Sequence, residues 1–166
     1  MFPVTTIYEK ALENAIKLAS WVQSFVKVLE KEKGKDAEKY GSSFRARARS
    51  FPELTESSGL LPALSFFYAK ATQETYKKIC QLLDDDGKME PVEVKDEEFG
   101  YAVFLHGTLV FLQELGLITD HNHKDPVKSI GELKEVSRLA LARNFLLPYV
   151  LELKKLSEAL FKGEGE

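Results

Sequence analysis

A chain of 166 residues with 44% hydrophobic and 30% charged residues can bury one sizeable core and is too apolar to be disordered. Its single cysteine, Cys80, excludes an internal disulfide framework, and no apolar run is long enough to cross a bilayer. Residues Met1 to Thr6 lack the basic and apolar regions of a signal peptide, so the expectation is a cytoplasmic protein with no membrane partner.

The first segment, from about Thr6 to Lys33, places Ile7, Tyr8, Ala11, Leu12, Ala15, Ile16, Leu18, Ala19, Val22, Phe25, Val26 and Leu29 on a 3.6-residue period. Thr6-x-x-Glu9 is a capping-box pattern at its start, and Gly34 follows its end. A second helix is predicted over Asp36 to Ser50, with Asp36 as cap. It should stop there, because Pro52 disfavours helical geometry at Phe51.

A third helix should start at the serines Ser57-Ser58 and run to about Leu83, bent near Thr72, with Pro62 in its first turn. Residues 84–98 carry eight acids and read as an acidic loop. The helix from about Glu97 to Leu115 is apolar nearly all round, which predicts a central position. The segment His121 to Pro126 reads as a surface loop. The last helix spans about Ser129 to Phe161 and should be kinked or split at Pro148, leaving 162–166 as a disordered tail. No alternating strand pattern occurs. The expectation is an all-α, single-domain bundle of five to six helices over residues 1–166.

Chemistry is sparse. His121 and His123 with Cys80 do not have the ligand spacing of a zinc site, and they read as ordinary loop histidines beside a lone thiol. His106 reads as a satisfied core histidine. Asp84-Asp85-Asp86 lacks the alternate acids and closing Glu of an EF-hand and reads as a solvated helix end. There is no glycine-rich phosphate loop and no nucleophile elbow. The expectation is no enzyme, no metal and no cofactor.

The formal net charge of −3 does not favour polyanions, but charge is unevenly placed. Between Lys27 and Arg49 stand eight bases against four acids, a basic patch on an acidic body. On a helix, Arg45 and Arg49 share a face one turn apart, Lys39 can join their edge, and Arg47 points elsewhere. Arginine's planar fork suits phosphate. Salt bridges to Glu38, Glu53 or Glu56 on a solvated helix face would account for the same residues. Trp21 sits off the main stripe of the first helix. It can be an interface anchor or a partly buried core residue.

The segment Arg49 to Lys70 resembles the central signature of the small α-helical subunit family of type III-B CRISPR (Cmr) RNA-guided effector complexes. Its features are Arg49, Pro52, the pair Gly59-Leu60, Phe66 or Phe67, and Lys70. The close likeness covers about twenty residues, and elsewhere only the helical organisation matches. The same corner has a plain physical reading, a stop and restart that sets an angle between helices.

The resemblance implies a non-catalytic subunit that stacks with copies of itself into a filament. With other Cmr subunits, it implies contact with guide RNA and target RNA in antiviral defence. Arg49 and Lys70 match the family signature; Lys39, Arg45, Arg138 and Arg143 are RNA-binding candidates on charge alone. The small subunit of type III-A complexes and a generic helical adaptor without RNA contact are the alternatives.

Overall fold

In a computed structural model the described residues are 4–85 and 89–163. Among them are seven α-helices and no strand. They are α1 (Val4–Lys33), α2 (Glu38–Ser58), α3 (Leu60–Ala71), α4 (Gln73–Leu83), α5 (Asp96–Glu114), α6 (Pro126–Leu133) and α7 (Val136–Leu160). Short 3-10 turns occupy Gly34–Ala37 and Asn122–Lys124. Only Thr72 parts α3 from α4. Taken as the one bent helix that the sequence predicts, they make a six-helix bundle in a single domain.

The core is built around α5. Phe99, Val103, Phe104, Leu105, Leu109, Phe111 and Leu112 are all fully buried, as the all-round apolar pattern requires. α2, α3 and α4 pack on α5, while α7 packs along α1 and reaches α2. Phe104 lies 4.9 Å from Phe51, 5.5 Å from Phe67 and 6.3 Å from Phe44, ring centre to ring centre. This cluster welds α2, α3 and α5. Truncating Phe104 to Ala would cost about 3–5 kcal/mol.

Three boundaries differ from the sequence expectation. Asp36 caps nothing, because it lies inside the 3-10 turn and Ala37 precedes α2 without a side-chain cap. α2 runs through Pro52 to Ser58, so Ser57 and Ser58 end that helix rather than start the next. Phe51 is buried 5.0 Å from Phe67 and 4.9 Å from Phe104, and this packing outweighs the local penalty of proline. Gly59 makes the corner instead, with φ +96°, a region only glycine enters freely.

The third difference lies near the C-terminus. The helix is continuous through Pro148, and the break falls earlier, at Lys134 and Glu135. There the Glu135 carboxylate accepts from the backbone N–H groups of Ser137 and Arg138 and caps α7. The acids Asp96, Glu97 and Glu98 stand in the first turn of α5, where the helix dipole favours them. The predicted bend is at Thr72, whose φ of +68° ends α3 and whose hydroxyl accepts from Thr75 N at 3.3 Å.

Candidate functional site

The candidate cations divide between several surfaces. Arg45 and Arg49 do share a face of α2. With Ser42, Ala46, Ser50, Glu53 and Gly163 they line one cleft of about 330 Å³. Arg49 is exposed. Arg45 is half-buried, and its Nη1 donates to the Phe161 carbonyl oxygen at 3.0 Å, tying the end of α7 to α2. Arg47 does point elsewhere: its guanidinium lies 4.4 Å from the Tyr101 ring centre and donates to that phenol oxygen.

The other candidates are exposed and lie apart from the cleft lining. Lys39 pairs with Asp36 at 3.4 Å in the first turn of α2. Lys70, at the end of α3, sits 5.6 Å from the Phe66 ring centre. Arg143 opens on a different groove with Phe51, Pro52, Leu147 and Leu151. Arg138 is in the first turn of α7 beside Glu135. Trp21 is half-buried, stacked on Phe25 at 5.1 Å and on Phe99 at 6.3 Å, so its ring is part of the aromatic core. Its remaining edge lines a cavity of about 460 Å³ with Leu18, Asp84, His106 and Tyr149.

That cavity adjoins a polar cluster that the sequence does not announce. His106 is a bonded core histidine, as expected, but His123 is not a surface loop residue. It is 6% exposed, and His106 is 5% exposed. Both imidazole Nε2 atoms meet the Asp84 carboxylate: His106 at 3.0 Å from Oδ1, and His123 at 3.1 and 3.0 Å from Oδ1 and Oδ2. Asp84 is the exposed C-cap of α4, as a helix end should be, but its carboxylate is tied inward to both rings. Burial works to raise its pKa, but the two histidines outweigh that and hold it well below the carboxylate range.

Burial pushes His106 below its ordinary value against the pull of Asp84, which leaves the ring neutral at pH 7. Cys80, one turn before Asp84 on α4, contributes a sulfur to the same place. Its thiol is pushed up to about 12 by burial and by the Asp84 charge. Cys80, Asp84 and His106 offer ligand atoms that all lie within 4.8 Å of one another. Asp84, His106 and His123 come from the end of α4, from α5 and from the second 3-10 turn, so no sequence spacing could have grouped them.

The bundle defines a class of small all-helical protein. Its fold matches one chain of the cryo-EM structure of the Type III-B Cmr-beta bound to cognate target RNA and AMPPnP, with a TM-score of 0.70. The match covers 95% of this chain and 99% of that one at 21% identity, a likeness of fold. The CRISPR system CMR subunit Cmr5 of Saccharolobus solfataricus is 29% identical over 125 residues, covering 72% of this chain and 79% of that protein. The family described as CRISPR-associated protein (Cas_Cmr5) matches residues 20–159, and the chain belongs to that family. The corner from Arg49 to Lys70, which carries the resemblance noted above, lies inside the matched span. Among the described residues no helix is long and apolar enough to cross a membrane.

Proposed function

We propose that the chain is a non-catalytic structural subunit of a type III-B RNA-guided complex in the cytoplasm. There it stacks with copies of itself and steadies the guide–target duplex for antiviral defence. Family membership supports the assembly, and the RNA-bound complex that shares its fold supports RNA as a partner. The observation that carries the RNA contact is the pairing of Arg45 and Arg49 in one cleft on α2. Sequence is then read by base pairing, while the protein holds the sugar-phosphate backbone through charge and shape.

Of the two arginines, Arg49 is the cleaner RNA candidate, because Arg45 already spends a donor on the chain's own C-terminal segment. Lys39, Lys70, Arg138 and Arg143 are further candidates on separate surfaces. The acidic remainder of the chain opposes strong binding in isolation, so affinity belongs to the assembly. Such binding falls steeply with salt.

The test is recovery of the N-terminally tagged chain from its host, with sequencing of bound RNA, for wild type and Arg49→Glu. Wild type should bring down large protein partners with guide RNA. The variant should assemble but hold target RNA several-fold less well. Protein partners without RNA, or unchanged target retention in Arg49→Glu, would favour a purely protein-binding adaptor. Sub-micromolar, duplex-selective binding by the chain alone would contradict the assembly-dependent reading.

A further inference from the structure

We propose that Phe66, Tyr101, Lys70 and Arg47 form a stacking site for an unpaired RNA nucleotide, with its base on Phe66 and its phosphates held by Lys70 and Arg47. The inference rests on the reading of RNA as a partner. It adds a contact of a different kind, made to a single strand rather than to a duplex backbone. None of the four residues lines the Arg45–Arg49 cleft.

The pair Phe66-Phe67 on α3 is the starting point. Consecutive residues of a helix point about 100° apart, so one core cannot take both rings. Phe67 goes inward and is fully buried, 5.0 Å from Phe51 and 4.9 Å from Tyr101 between ring centres. Phe66 stays 43% exposed. A single exposed phenylalanine needs no explanation, but this one has neighbours of a particular kind. Its ring meets that of Tyr101 on α5 at 6.0 Å, with an angle of 76° between the planes. The half-buried Arg47 of α2 lays its guanidinium 4.4 Å from the Tyr101 ring centre and donates to the phenol oxygen. Lys70, one turn beyond Phe66, is exposed and holds Nζ 5.6 Å from the Phe66 ring centre. In order of contact the row reads Lys70, Phe66, Tyr101, Arg47: two aromatic rings with a cation at each end.

The charges in this row lack anions. Among the described residues neither Lys70 nor Arg47 has a carboxylate partner, and Arg47 Nε is buried without an acceptor. Of the acids on α5, Glu98 is engaged by the Thr72 and Thr75 hydroxyls at 3.4 and 2.7 Å, on the side of α4. Glu97, exposed one turn before Tyr101, shares its face, so two cations stand against one acid.

An exposed ring flanked by cations suits a flat apolar group that carries negative charge beside it. A nucleotide in a single strand is such a group. Its base stacks on Phe66, and the Lys70 ammonium leaves the ring for phosphate, replacing a weak exposed cation–π contact with a charge-assisted one. Paired bases stack on one another and offer no free face, so the site selects single strands. An acidic peptide would meet the cations and leave the ring bare.

The experiment is photo-crosslinking of the full-length chain, at low salt, to a short RNA single strand containing 4-thiouridine, with the cross-linked peptide mapped. The cross-link should fall on Phe66, and the same RNA annealed to its complement should give none there. Phe66→Leu keeps the apolar bulk and should cut single-strand binding about fivefold or more, while Phe66→Tyr should retain it. Lys70→Gln should weaken binding and reduce its dependence on salt. The wild-type cross-link decides the matter even where a variant fails to fold. A cross-link only outside α3, or none, would overturn the site, as would undiminished binding by a folded Phe66→Leu or a polyglutamate peptide binding more tightly than the RNA. Such a failure leaves the Arg45–Arg49 cleft standing, because Arg49→Glu in the recovered complex decides that reading. Unchanged target retention in Arg49→Glu beside an intact Phe66 cross-link would reject the cleft and keep this site.

Discussion

Gly100 of α5 and Ser43 of α2 meet backbone to backbone: a Cβ built on Gly100 would lie 2.8 Å from both the carbonyl carbon and the carbonyl oxygen of Ser43. The close approach lets Ser43 Oγ donate to the Glu97 carbonyl at 3.4 Å and brings Phe44 against Phe104. No flexible side chain can yield there, so Gly100→Ala must push the two helices apart. The expected loss is about 1–3 kcal/mol, as for other overpacked cores. Gly131, in α6, has open space where its Cβ would go. Gly131→Ala should therefore gain about 0.5–1 kcal/mol from helix propensity alone. Thermal melts of the two variants should shift in opposite directions.

Arg45 performs a structural task beside its proposed one. Removing its donor leaves the Phe161 carbonyl without that bond, and Arg45→Ala should cost about 1–2 kcal/mol. Hydrogen exchange should quicken at the end of α7, while Arg49→Ala leaves both the melt and the exchange unchanged. A melt equally lowered by the Arg49 substitution would contradict this division of labour.

Glu114 joins α5 to α1. It accepts from Lys10 Nζ at 2.9 Å and from Asn14 Nδ2 at 2.8 Å. Burial works to raise its pKa, but these two partners outweigh it and hold the folded value below the ordinary one. A depressed folded pKa gives stability that is fully present above the unfolded value of about 4.3 and is lost as pH falls through the folded value. Glu114→Gln should lower the melting midpoint at pH 7, and the gap to wild type should narrow as pH drops from about 5 towards 3. An equal gap at both ends would show that the carboxylate charge does no work there.

The architecture was legible where local pattern and tertiary packing agree. α1 follows its hydrophobic period closely, α5 is buried as its all-round apolar pattern requires, and the bend at Thr72 appears where it was expected. Where the two levels disagree, packing prevails. Pro52 reads as a stop and Pro148 as a kink or split, yet each adjoins a buried aromatic that holds the helix on course: Phe51 against Phe104, and Tyr149 stacked on Phe111 at 4.8 Å. The true break before α7 depends on the Glu135 carboxylate capping two N–H groups, a use of glutamate that composition does not flag.

The candidate sites divide along the same line. Arg45 and Arg49 could be paired by counting residues along one helix. The cluster at Asp84 could not, since Asp84, His106 and His123 are 22 and 39 residues apart in its two bonds. The polar stretch around His123 looks like any exposed loop until Tyr76 is seen donating to the His123 carbonyl at 2.6 Å, drawing the turn inward.

The seating of Phe161 has a practical bearing on experiments with this chain. Its ring rests on Gly41 and Phe44, and the next residues follow α2, with Lys162 3.7 Å from Glu38 and Gly163 in the wall of the arginine cleft. Whatever is grafted beyond Gly163 thus departs from the doorway of the proposed RNA contact. An acidic epitope appended there would act as a tethered competitor of nucleic acid for the arginines, and affinity handles placed at the other terminus avoid that artefact.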